Sequence, residues 1–253
     1  MEWNATLYDH EHEFVSRYGR GLIEILNPKA GEKILDMGCG TGDLTHQLFL
    51  MGCEVTGIDA SESMIGKAKE KFSDIRFICA DACRFELNEK FDAVFSNAVL
   101  HWIKDQDAVL QNVYTHLKQG GRFVAELGAR GNVEKIRTTL KNTLREHGFT
   151  NQADISNWYF PSVAEYADKL EQHGFEIRLM EGYDRPTILQ SLEKGIVDWL
   201  EMFGSAFFRG IQDTEKVKIL NEVQDKLKKD LYQEDFWIAD YKRLRFWATK
   251  ERR

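Results

Sequence analysis

Gly38, Gly40 and Gly42 stand at alternate positions directly after the apolar run Ile34-Leu35-Asp36-Met37 and directly before an amphipathic segment, Leu44 to Met51. Glycine at every second position lets backbone pass close to a ligand with no Cβ in the way. An apolar strand that runs into such a loop and then into a helix is the start of a parallel α/β sheet. The carboxyl end of its first strand is where open sheets of this kind bind small molecules. The spacing also discriminates among ligands. A dinucleotide fingerprint needs a third glycine three residues after the second, where helix packs on strand, and that position is Asp43. A dinucleotide is therefore disfavoured.

The pattern from residue 12 to about 128 alternates helix and strand, as in a parallel sheet covered on both faces. A helix is expected over His12–Asn27, stopped by Asn27-Pro28, and strands over Lys33–Met37, Glu54–Ile58, Ile75–Cys79, Phe91–Ser96 and Arg122–Leu127. Ser61 is expected to cap a helix whose inner face carries Met64, Ile65, Ala68 and Phe72. Beyond Gly131 come a helix to about His147, an aromatic loop over Asn157–Pro161, a helix capped by Ser162 and closed by Gly174, and a strand over Phe175–Met180. Pro186 to about Tyr232 reads as helical throughout, and Tyr241–Thr249 as a last strand. The expected organisation is a core over 1–185, a helical cap insertion over 186–238 lacking a strand partner, and a final core strand over 239–253.

Composition narrows the function. At 253 residues, 43% hydrophobic, the chain has material for one large core or a core plus a small appendage, and no run approaches the roughly eighteen apolar residues of a membrane span. The opening residues have neither a basic start nor an apolar stretch, so no secretory signal and a cytoplasmic location are expected. Cys39, Cys53, Cys79 and Cys83 lack metal-ligand spacing and read as reduced core thiols. A net charge of −7 and a pI near 5.6 disfavour nucleic acid as the main partner and favour a small molecule.

Several side chains then stand out. Asp59 closes the second strand about twenty residues after the loop, where a carboxylate can accept both hydroxyl hydrogens of a ribose; an aspartate there also serves as a turn cap, but Ser61 is better placed for that and leaves Asp59 freer. Asp81, after the third strand, suits an adenine amino group, or its own turn. Trp102 is a pocket wall or core, and His101 a base or a satisfied half-buried histidine. His10 and His12 lack a third ligand, so no metal is assigned. In the aromatic stretch Trp199 to Phe208, Trp199 and Phe203 are candidate substrate walls, with Arg209 as the nearest cation for a substrate carboxylate.

Ile34 to Asp43, Val55 to Ser61, Asp81 with Ala82, and Phe91 to Trp102 together resemble the class I S-adenosylmethionine (SAM) methyltransferases. Trp3-Asn4, Leu7-Tyr8, Ser96-Asn97-Ala98, His101-Trp102, Ile196 to Trp199 and Arg243 to Ala248 are similar to the trans-aconitate methyltransferases. Malonyl-carrier-protein methyltransferases are close competitors, and a non-catalytic SAM-binding module is the rival from another class. The resemblance implies a Rossmann-like sheet of seven mostly parallel strands, with SAM as cofactor and S-adenosylhomocysteine as product. It implies a cofactor site of Asp36, Gly38, Cys39, Gly40, Asp59, Ala60, Met64, Asp81, Ala82 and Asn97, with Tyr8 in an N-terminal lid. Other methyltransferases carry Asn or Asp, two prolines and an aromatic at the end of the fourth strand to grip a planar amino nitrogen. Here Asn97 is followed by Ala98 and Val99, which argues against base or protein-amide methylation.

Overall fold

The computed structural model describes residues 13–189 and 191–251; Trp3, Asn4, Tyr8, His10 and His12 lie outside the described residues. The chain forms two compact units. The first runs to Gly128 and resumes over Pro161–Gly182 and from Leu244; the second comprises Ala129–Phe160 and Tyr183–Arg243.

In the first unit the apolar runs form β1 (Lys33–Met37), β2 (Glu54–Asp59), β3 (Arg76–Cys79), β4 (Phe91–Asn97) and β5 (Leu117–Gly128). The connecting helices are α1 (Glu13–Leu26), α2 (Asp43–Leu50), α3 (Glu62–Lys71) and α4 (Gln106–His116). All neighbouring pairs among these strands are parallel. With β6 (Phe175–Asp184) and β10 (Lys242–Lys250) they build a seven-stranded sheet in the order β3-β2-β1-β4-β5-β10-β6. Ile34, Leu35, Ala93, Val94 and Phe95 are wholly buried, as continuous apolar strands must be when helices cover both faces. Strand order reverses between β1 and β4, so the crevice outside their carboxyl ends is the switch point at which such sheets bind ligands. The expected caps are in place. Ser61 Oγ accepts the Met64 amide, and Ser162 with Glu165 forms a reciprocal capping box at the start of Val163–Gln172.

The second unit is less helical than its sequence suggests. α5 (Glu134–Glu146), a short α6 (Thr150–Ala153), α8 (Gly195–Phe203) and α9 (Asp213–Leu231) are joined by β7 (Thr187–Ile188), β8 (Tyr232–Gln233) and β9 (Phe236–Ala239), which pair as a three-stranded sheet; α7 is the capped helix of the first unit. The β8–β9 hairpin turns through Glu234 and Asp235 at φ 49° and 66°. A two-residue turn of that kind usually advertises itself with Asn-Gly or Asp-Gly, and Glu-Asp hides it.

In that unit His147, at the end of α5, is held between two carboxylates of α9, with Nδ1 2.7 Å from Glu215 Oε1 and Nε2 2.7 Å from Glu222 Oε2. Hydrogen bonds to Glu222 and Glu215 push the imidazole above its usual range. A raised folded pKa stabilises the fold fully below the unfolded value of about 6.5, and the contribution is lost as pH rises through the folded one. His147→Gln should therefore lower the thermal midpoint at pH 5.5 and converge on the parent at alkaline pH. An equal deficit at both ends would show that the imidazole acts by packing instead of charge.

Candidate functional site

Met37 and Ile58 are register partners, which brings the carboxyl ends of β1 and β2 side by side. The loop between β1 and α2 is tied to that edge: the Gly38 and Cys39 amides both donate to Ile58 O, at 2.7 and 2.9 Å. Gly38 has φ 79°, and a Cβ there would stand 2.1 Å from Val99 Cγ2, so only glycine fits. Gly40 has φ 55°, and among the described residues no atom lies within 4 Å of an added Cβ.

Four carboxyl-edge side chains complete this part of the site. Asp36 is buried, its Oδ2 accepting the Thr45 hydroxyl at 2.6 Å; burial, reinforced by the Asp59 charge, pushes its carboxyl up to about 7. Asp59 is less free than its sequence context suggests. Ser61 does cap α3, yet Asp59 also accepts the Ser61 amide at 2.8 Å and the Gly40 amide at 3.1 Å. Burial raises its pKa against those two bonds. A carboxylate has about four lone-pair sites, so two remain for a ligand. Asp81 holds its own turn, accepting the Cys83 amide at 2.9 Å and pairing with Arg84 Nε at 3.2 Å, while the Ala82 carbonyl takes Asn112 Nδ2. Asn97 ends β4 opposite Glu126, beside α1: a Cβ on Gly19 would lie 3.3 Å from its Nδ2.

Ala60 follows β2, and Met64 is buried in the first turn of α3. Cys39 is buried, and burial drives its thiol far above the ordinary range, which makes it inert. Reading all four cysteines as core thiols needs correction, because Cys79 is exposed and Cys83 only half-buried; both sit where β3 gives way to its loop.

Beyond Asn97, Ala98 adopts φ 60° and its amide donates to Glu126 O at 2.8 Å. A non-glycine residue in the left-handed region costs about 1 to 2 kcal/mol, the sort of strain found near functional sites. The following turn, Leu100–Trp102, carries His101, which is buried; its Nδ1 accepts the Gly128 amide at 3.2 Å. In the neutral ring that bond places the proton on Nε2. Trp102 is half-buried, its ring 5.4 Å from that of His101.

Trp199, Phe203 and Arg209 belong to the second unit. Trp199 is buried, 5.2 Å from Phe203 and 6.2 Å from Trp158 between ring centres, and donates Nε1–H to Tyr241 Oη at 2.6 Å. Trp199 and Phe203 thus share one aromatic nest. Arg209 is exposed. Among the described residues of this unit, Arg243 is a well-buried cation, 4% exposed with Cζ 4.4 Å from the Tyr241 ring centre. Sequence reasoning missed it because an arginine at the edge of an alternating strand gives no local sign of burial.

The Methyltransferase domain family matches residues 28–178, more than half of the chain. An uncharacterized methyltransferase of Schizosaccharomyces pombe is 35% identical over 98% of both chains. A trans-aconitate 2-methyltransferase of Enterobacter sp. is 24% identical over 99% of both. A phosphoethanolamine N-methyltransferase 2 of Haemonchus contortus, solved in complex with S-adenosyl-L-methionine, has the same fold with a TM-score of 0.59 at 20% identity, covering 94% of this chain and 53% of that one. With the glycine loop at the switch point of a seven-stranded sheet, these likenesses place the chain in its family: it is a class I SAM-dependent methyltransferase.

Proposed function

We propose that this enzyme methylates a carboxylate of a small organic acid of the trans-aconitate kind, in the cytoplasm and without nucleic-acid or membrane partners. SAM supplies a methyl group on a sulfonium, and the protein's task is to hold an acceptor oxygen about 3 to 3.5 Å from that carbon with water kept out, a positioning effect that can supply several kcal/mol. In this reading Asp59 accepts from the ribose, Asp81 and Ala82 meet the adenine, and Asn97 takes the amino-acid end, with Asp36, Gly38, Cys39, Gly40, Ala60 and Met64 around them. Trp102, Trp199 and Phe203 are acceptor walls, and Arg209 is an outer cation.

One observation carries the choice of acceptor. His101, the titratable candidate at the end of β4, has Nδ1 committed to the Gly128 amide, so it is a poor general base. A carboxylate is ionised at neutral pH and needs none. The test is incubation of the purified enzyme with methyl-labelled SAM and trans-aconitate, or with metabolite extract, followed by mass spectrometry. Methyl esters should appear as the labelled products, and labelled amines or ethers alone would refute the reading. His101→Gln, which keeps an acceptor for the Gly128 amide, should leave the alkaline limb of the kcat profile unshifted and change kcat less than about threefold. A base would cost about 100-fold or more.

A further inference from the structure

The loop that follows β3 has no regular structure, yet α4 holds its main chain at successive points. Asn112 Nδ2 donates to Ala82 O and to Phe85 O, each at 3.2 Å. His116 Nε2 accepts the Leu87 amide at 3.3 Å, and its ring lies 4.4 Å from that of the buried Phe85. Ahead of both, the Cys83 thiol reaches the carbonyl of Asp105, the N-cap of α4, at 3.7 Å. Residues 105, 112 and 116 repeat at helical spacing, so one face of α4 carries the whole loop.

Asn112 differs from the others in what it holds. Both of its partners are carbonyl oxygens, so only the NH2 can face them and the orientation of the amide is fixed. Ala82 O belongs to the same planar trans peptide as the Cys83 N–H, and the two point in opposite directions. That N–H donates to Asp81 Oδ1 at 2.9 Å. One rigid plane thus joins Asn112 on one side to the Asp81 carboxylate on the other. The ion pair of the same carboxylate with Arg84 involves a side chain 83% exposed and constrains it little. Without the Asn112 amide the plane is free to turn, and Asp81 turns with it.

We propose that Asn112 is a positioning residue for the cofactor: through the 82–83 peptide it aims the Asp81 carboxylate at the adenine amino group, and so lets the site distinguish adenine from a 6-oxopurine. Adenine offers the carboxylate an N–H donor there, whereas hypoxanthine offers a second acceptor with no hydrogen between the two oxygens. This rests on the reading of Asp81 and Ala82 as the adenine contacts, and it names what holds them in place.

The test titrates the full chain calorimetrically with S-adenosylhomocysteine and with S-inosylhomocysteine, in which a carbonyl replaces the amino group. The parent should bind the adenosyl compound about tenfold or more tightly than the inosyl one. Asn112→Ala should weaken the adenosyl compound by about three- to tenfold and the inosyl compound by less than about twofold, so the preference narrows. Asn112→Asp, which sets a carboxylate against two carbonyls, should narrow it further. Adding Asn112→Ala to Asp81→Ala should cost little more than Asp81→Ala alone, since both act through one carboxylate. Asn112 is half-buried, and melting curves identify any variant that fails to fold; either substitution alone decides the matter. An equal loss for both compounds, or no loss, in a folded Asn112 variant of a parent that prefers the adenosyl compound overturns the positioning role and leaves the adenine contacts standing. A parent that binds both compounds alike overturns the adenine contacts and the proposal together.

Discussion

Asp59→Ala is expected to lower affinity for SAM and S-adenosylhomocysteine by about 100-fold or more, since hydrogen bonds to a charged group are worth about 1.5 to 3 kcal/mol each and the ribose would lose two. The structure adds a second contribution. Asp59 also holds the Gly40 and Ser61 amides, so its loss loosens the glycine loop and the entry to α3. Asp59→Asn keeps an oxygen for one of those amides and should fall between. Asp81→Ala should cost less than about tenfold, because its present bonds secure its own turn. Calorimetry with both ligands, paired with melting curves, separates affinity from folding. Parent-like SAM binding in folded Asp59→Ala would remove the ribose role.

Gly38→Ala should be the most damaging single methyl group in the first unit. The left-handed φ of 79° costs about 1 kcal/mol with any side chain, and a methyl 2.1 Å from Val99 Cγ2 adds the overpacking penalty of about 1 to 3 kcal/mol. Relief requires Val99 to shift or the loop to lift from Ile58 O, to which the Gly38 and Cys39 amides are bonded. Stability should fall by about 2 to 4 kcal/mol, with SAM binding weakened in the fraction that folds. Adding Val99→Ala removes two of the three close contacts and should recover part of the stability, but not the backbone strain. Denaturant titration of the parent, both single variants and the double variant measures each part. A Gly38→Ala protein as stable as the parent would contradict the assigned geometry.

What the sequence revealed and what it hid divide along the range of the interactions. The buried strands β1 to β5 and the caps at Ser61 and Ser162 are encoded within a few residues of where they act, in apolar runs, turn residues and capping spacing. The glycine loop is equally local, because its spacing follows from its own backbone. Asp59 was legible as an edge residue but not as the acceptor of the Gly40 amide, 19 positions away. His101 could not be told from a base until its ring met an amide 27 positions on. β7, β8 and β9 are too short to show periodicity, and their tightest turn uses Glu234-Asp235. Arg243 looked like a charge on an alternating strand, and only the assembled second unit buries it.

The turn at Ala98 bears on the arrangement of Asn or Asp with two prolines that other methyltransferases carry at the end of the fourth strand. Proline fixes φ near −65° and has no amide hydrogen. Residue 98 sits at φ 60° and donates its amide to Glu126 O. A proline after Asn97 would thus require reversing the backbone there and giving up the last link from the end of β4 to β5. Acquiring the proline-rich grip on planar nitrogens is a refolding of the turn, so no single substitution in this chain leads to it. The shape of this edge is stored in main-chain conformation and is insulated from the drift of individual side chains.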